Sequence, residues 1–136
     1  MNVSVQWAGA MRFLGTSGSG HAVVMDTSAA NGGLDSAAGP MEMVLLGLAG
    51  CSGIDVLHIL QKKRIALDAM RIDIEAERKE THPKVFSRVT VIFHFSGNDL
   101  SEKALEQAVQ LSMDKYCSVA GMVSQTAEIH WKVVVA

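Results

Sequence analysis

Cys51 and Cys117 are the residues of this chain best suited to chemistry, and they lie far apart in sequence. The first falls within "GPMEMVLLGLAGCSG", residues 39–53, an apolar run that also carries Gly47, Gly50 and Gly53. Glycine inside a helix costs about 1 kcal/mol relative to alanine, so three of them need a compensating reason. Small residues three apart let another backbone come close, and Gly50 and Gly53 flank the thiol. One reading makes Cys51 a small buried side chain filling a tight helix crossing; the other makes it a thiol held for reaction. The N-terminal stretch "MNVSVQWAGAM" lacks the basic, then apolar, then small-residue pattern of a secretory leader, so a cytoplasmic location is expected. Stable disulfides are rare there, and two cysteines are then either inert buried thiols or a redox pair that cycles.

Other candidates carry less. Asp55 and His58 share the helical stripe of Cys51, one and two turns on. A seven-residue step is roughly 10 Å along a helix, too far for His58 to bond the thiol directly, so it is expected to be a structural or supporting residue. "GTSGSG" at Gly15–Gly20 lacks the Lys-Ser/Thr ending of a phosphate loop and reads as a hairpin turn. The five histidines show no metal-ligand spacing among themselves or with the cysteines, and no Ser-His-Asp arrangement is legible. No cofactor and no metal are expected.

The positioning elements follow from periodicity. The 136 residues are 49% hydrophobic and 19% charged, which suits one globular domain, 1–136. A net charge of −2 with scattered Lys and Arg argues against nucleic acid. Met43 to Leu60 is long enough to span a membrane, but it carries Asp55, His58 and glycines, and it reads as a buried helix with no membrane role. Residues 3–25 read as three short strands with tight turns, followed by a polar, small-residue surface loop, "DTSAANGGLDSAAG". Pro40 suits the first turn of a helix, which then runs to "QKKR".

"AMRIDIEAERKE" and "VFSRVTVIFHF" alternate as a hairpin, with Val89, Val91, Phe93 and Phe95 on one side. Ser101 opens a second amphipathic helix through Leu105, Ala108, Val109 and Ser112 to near Tyr116. Cys117 follows, then a short helix over "SVAGMVSQ" and a closing strand with Ile129, Trp131, Val133 and Val135 on one face. The class is α+β, with two main helices that can cover antiparallel sheet.

"GPMEMVLLGLAGCSGIDVLHIL" and "LSMDKYCSVAGMVSQTAEI", with the element order around them, resemble the OsmC/Ohr family over nearly the whole chain. The resemblance implies an OsmC-like fold, with antiparallel sheets around a long buried central helix, and an intertwined homodimer with both active sites at the subunit interface. It further implies that Cys51 attacks an organic hydroperoxide, that Cys117 resolves the sulfenic acid to a disulfide, and that a dithiol reductant, with a lipoyl-type dithiol as one candidate, restores the pair. An apolar lining from Met43, Leu48 and Met122 would favour alkyl or lipid hydroperoxides.

The helix start here is Pro-Met-Glu-Met: Met41 stands where better-known members have glutamate, and Glu42 comes one step later. That family glutamate pairs with an arginine near the thiol, so Glu42 is carried as a catalytic candidate. Arg12 is the only arginine before the long helix, and Ser118 stands where others often have proline. Nine steps of about 100° put Glu42 opposite Cys51 on a straight helix, so any site it serves is the partner subunit's. The leading reading is a cysteine peroxidase acting on organic hydroperoxides. The alternatives are a thiol-disulfide redox protein of the same fold with little peroxidase activity, and a non-catalytic dimer that binds an apolar ligand.

Overall fold

The computed structural model describes all residues from Met1 to Ala136, and the chain forms two compact units, Met1–Leu46 and Gly47–Ala136. The first is built on strands β1 (Val3–Trp7), β2 (Phe13–Ser17) and β3 (Ala22–Met25), an antiparallel sheet in sequential order. The "GTSGSG" stretch does turn the β2–β3 hairpin: Ser17 N–H donates to His21 O at 2.9 Å, and Gly20 takes φ +86°. That left-handed conformation suits glycine because it has no Cβ to clash.

The following loop is more organised than its composition suggests. It contains a 3-10 turn, Ala29–Asn31, and wraps around the Asp26 carboxylate, which is 1% exposed. Asp26 accepts from Thr27 N–H (2.7 Å), Leu34 N–H (3.2 Å), Ser36 N–H (3.0 Å) and the Ser36 hydroxyl (2.6 Å). A Cβ on Gly33 would lie 2.1 Å from Thr27 O and 2.8 Å from Asp26 Oδ1, so the turn closes only around glycine.

Helix α1 (Pro40–Lys62) starts at the proline, as its missing N–H allows, and ends in cationic residues. In the second unit, β4 (Ala69–Arg78), β5 (Phe86–Ser96) and β6 (Glu128–Val135) form one sheet in the order β4-β5-β6. Central β5 alternates as its sequence predicts, with Val89, Val91, Phe93 and Phe95 at most 1% exposed. Leu48, Val56 and Leu60 of α1, with Leu105, Ala108 and Val109 of helix α2 (Glu102–Leu111), complete the core of this unit. Ser101 caps α2 by accepting the Ala104 N–H.

Two expectations need correction. The sheets are not all antiparallel, because β6 pairs parallel to β5 from Arg88↔Glu128 to Phe95↔Val135. The connection carries α2 and helix α3 (Ser118–Val123), a crossover long enough to return the chain to the end of the sheet where β5 began. The second concerns α2, which stops at Leu111 rather than near Tyr116. Its last turn widens into a π turn, Ser112–Tyr116, that leads into Cys117.

Helix α1 is also less covered than a central core helix. It is long and apolar enough to cross a membrane by length and composition, and 28% of its most apolar stretch is buried in the single chain. Ile54 is 58% exposed and Leu57 38%. Of its three glycines only Gly53 has a close neighbour, with Ile72 Cδ1 3.0 Å and Met70 Cε 3.5 Å from where a Cβ would sit; Gly47 and Gly50 face open space.

Candidate active site

Cys51 and Asp55 stand one helical turn apart on α1, a spacing that puts both side chains on one face. The third member arrives from the crossover. Cys117 leaves the π turn with its N–H bonded to Ser112 O (2.8 Å) and extended backbone angles of φ −70° and ψ 107°. It caps α3, its sulfur accepting the Ala120 N–H at 3.4 Å. The two sulfurs and a carboxylate oxygen of Asp55 all lie within 4.8 Å of one another, and both cysteines are free thiols.

The surroundings distinguish the two thiols. Cys51 is half-buried, whereas Cys117 is 5% exposed. Burial pushes the Cys117 thiol up from 9.0 to about 11; the Ala120 N–H opposes that shift and the neighbouring Cys51 sulfur adds to it. Cys117 is therefore protonated at neutral pH. Ser112, fully buried, donates its hydroxyl to Asp55 Oδ2 at 3.1 Å and also lies 3.4 Å from Ser52 O. The three ion pairs of the chain lie elsewhere, so no cation is paired with Asp55. Beside Asp55 a cavity of about 410 Å³ is walled by Ile59, Leu111 and Tyr116 and rimmed by His58, Lys62 and Lys63.

The fold thus brings the two predicted cysteines together and joins Asp55 to them. Glu42 has a local partner instead: its Oε1 accepts the Gly39 N–H at 2.9 Å, the reach-back bond of a helix-capping box. Arg12, in the first unit, has a buried Nε without a hydrogen-bond partner. Of the expected lining, Leu48 is fully buried in the core and Met122 is 66% exposed. Asp55 and Ser112 were visible in sequence but unassigned. The signal for Asp55 was its four-residue step from Cys51; for Ser112 it was a lone hydroxyl on an otherwise apolar stripe.

A free dithiol anchored at one end on a long helix and at the other on a helix break makes this an α+β thiol protein. The comparisons narrow the class. The chain belongs to the OsmC-like protein family, which it matches over residues 33–132. It is 43% identical to Protein YhfA of Escherichia coli K12 over 129 residues, covering 95% of this chain and 93% of that protein. A crystal structure of a hypothetical protein from Aquifex aeolicus VF5 superposes with a TM-score of 0.82 at 34% identity, covering 99% and 96% of the two chains. An organic hydroperoxide resistance protein OsmC from Legionella pneumophila shares the fold, with a TM-score of 0.73 at 18% identity over 99% and 98%.

Proposed function

We propose that the protein is a cysteine-based peroxidase that reduces organic hydroperoxides, working as a homodimer. The observation that carries this reading is the meeting of Cys51 and Cys117, distant in sequence, as free thiols within 4.8 Å. The name of the Legionella pneumophila protein of the same fold agrees with it. Cys51, the more accessible thiol, takes the peroxidatic role. Its thiolate attacks the terminal peroxide oxygen, the O–O bond breaks, alkoxide leaves and is protonated to the alcohol, and Cys51 becomes a sulfenic acid. Cys117 is the resolving thiol. Its sulfur attacks the Cys51 sulfur, the hydroxyl group departs as water, and the disulfide forms. The Cys117 proton has to go to the departing hydroxyl, and the Asp55 carboxylate is near enough to carry it. A dithiol reductant then returns both thiols and is itself oxidised to a disulfide.

The open face of α1 supports the dimer: Gly47 and Gly50 leave room for a second backbone, and Ile54 and Leu57 are apolar and exposed. A catalytic Glu42 would act in the partner's site and would have to give up its bond to Gly39. A cytoplasmic, single-domain protein fits this chemistry. The test is peroxide consumption by purified protein with cumene hydroperoxide and dihydrolipoamide. Turnover with transient disulfide formation is the expected result, and two free thiols persisting after peroxide treatment overturn the reading.

One observation favours a second reading, disulfide exchange with another protein and little peroxidase activity. Glu42 is bonded to the Gly39 N–H and Asp55 has no paired cation, so this chain holds no carboxylate–arginine pair beside Cys51 of the kind the family resemblance associates with peroxide attack. Disulfide exchange with a model dithiol, without peroxide turnover, would select it.

A further inference from the structure

The same three donors can do something that no peroxide is needed to reveal. We propose that reduced Cys51, Asp55 and Cys117 form a binding site for a thiophilic divalent cation such as Zn²⁺, and that forming the Cys51–Cys117 disulfide abolishes it.

Four observations carry this. The first is donor chemistry: two thiolate sulfurs and one carboxylate oxygen are ordinary zinc ligands, and three protein ligands leave one position for water. The second is convergence. Tetrahedral thiolate sites, with Zn–S near 2.3 Å, put their sulfurs about 3.8 Å apart, and the three donors here already lie within 4.8 Å. At most about 1 Å remains to be closed. The third is rigidity, since Cys51 and Asp55 chelate from successive turns of one helix, and Cys117 is fixed by the Ser112 and Ala120 backbone bonds. The fourth is the outer shell. Ser112 Oγ holds Asp55 Oδ2 and leaves the other oxygen open, while the Ala120 N–H already points at the Cys117 sulfur, as donors to metal-bound thiolates do.

Charge points the same way. The carboxylate has no ion-pair partner among the Lys, Arg and His residues, so two thiolates beside it make an anionic triad that a divalent cation neutralises. Coordination releases the thiol protons and leaves the sulfur oxidation state unchanged. Oxidation to the disulfide removes both thiolates and with them the cation. None of this rests on peroxidase activity, so the two readings fail separately.

The experiment uses untagged, fully reduced protein and Co²⁺ as a spectroscopic probe, followed by Zn²⁺ displacement. One equivalent of Co²⁺ should produce thiolate-to-cobalt charge-transfer absorption, lost on adding Zn²⁺ and absent from the disulfide form. Cys51→Ser and Cys117→Ser should each weaken Zn²⁺ binding by more than about 100-fold, and Ser112→Ala by about 10-fold through loss of the outer-shell bond. Circular dichroism checks that each variant is folded. A measurement free of variants runs beside it: Zn²⁺ should protect Cys51 and Cys117 from alkylation, read by peptide mass. No charge-transfer band in the wild type overturns the proposal. So does cation binding that survives disulfide formation or alkylation, which would place it on the histidines.

Discussion

Asp26 and Asp55 carry the same carboxylate in opposite circumstances. Asp26 accepts four hydrogen bonds from its own loop, and these hold its acidity at about 2, down from 3.8, the Ser36 hydroxyl acting most strongly and the Ser36 and Thr27 N–H groups next. Asp55 accepts one, from Ser112, and has two thiols for neighbours. A carboxylate saturated with donors has nothing left to offer a substrate, proton or cation, and its work is architectural. One held by a single donor is oriented yet still has acceptor capacity. The contrast separates a residue that builds a loop from one that stands beside two thiols, the first in a polar loop and the second on an apolar helix.

Substitutions should therefore split into two groups, and Cys51→Ser gives the widest separation. Serine is nearly isosteric, but its hydroxyl is far too weak a nucleophile toward peroxide oxygen. Peroxide consumption should fall by more than about 100-fold while the thermal melt stays in place; residual turnover above a few per cent would remove Cys51 from the reactive role. Asp26→Ala should do the reverse. The Thr27, Leu34 and Ser36 donors lose their acceptor, so the melting temperature should drop by several degrees and residues 27–36 should become cleavable by protease, with both thiols still reactive. The acid limb sharpens this. With its acidity depressed in the folded state, Asp26 contributes stability that is present above its unfolded value of 3.8 and is lost as pH falls toward 2. The gap in melting temperature between wild type and Asp26→Asn should be constant above about pH 5 and close over that interval.

The two centres were not equally legible. Period-2 and period-3.6 patterns located the strands and main helices of the second unit because each buries one face, as Val89, Val91, Phe93 and Phe95 illustrate, whereas the exposed strands of the first were marked by the turns between them. Strand direction was not legible, since β6 alternates the same way whether it pairs parallel or antiparallel to β5. The cysteines were identifiable as types, but their meeting depends on a π turn, and nothing in "SMDKY" distinguishes that from one more α-helical turn. Asp26 was lost inside a loop of small residues, where a side chain's partners are backbone N–H groups that leave no periodic trace. Glu42 was legible only as a carboxylate near a helix start, a position at which capping Gly39 and serving a remote site look alike in sequence.

Cys117→Ser tests the reactive half more finely than the loss of Cys51. Oxidation of Cys51 by one equivalent of peroxide should proceed as in the wild type, because the attacking thiol is intact. Without a resolving sulfur, the sulfenic acid should persist and pass to sulfinic acid. Added oxygen on the Cys51 peptide, by mass spectrometry, is the expected result; normal repeated turnover by this variant would rule out a two-cysteine cycle.

The smallest effect, and the one that bears most directly on the contrast between the carboxylates, belongs to Asp55→Asn. Asparagine keeps a carbonyl oxygen for the Ser112 hydroxyl, so the buried bond survives as a neutral one and stability should fall by about 1 kcal/mol at most, less than the loss expected at Asp26. Asparagine cannot take a proton, however. Cys117, a protonated thiol at neutral pH because burial holds its acidity near 11, then has no adjacent acceptor as it attacks the sulfenic acid. Disulfide closure after a single peroxide pulse should slow by several-fold at pH 7, and the deficit should narrow at pH 9 and above, where hydroxide can remove the proton instead. Stopped-flow mixing with acid quench and thiol counting reads both rates. Equal closure rates for wild type and variant across that range would reduce Asp55 to the architectural role of Asp26.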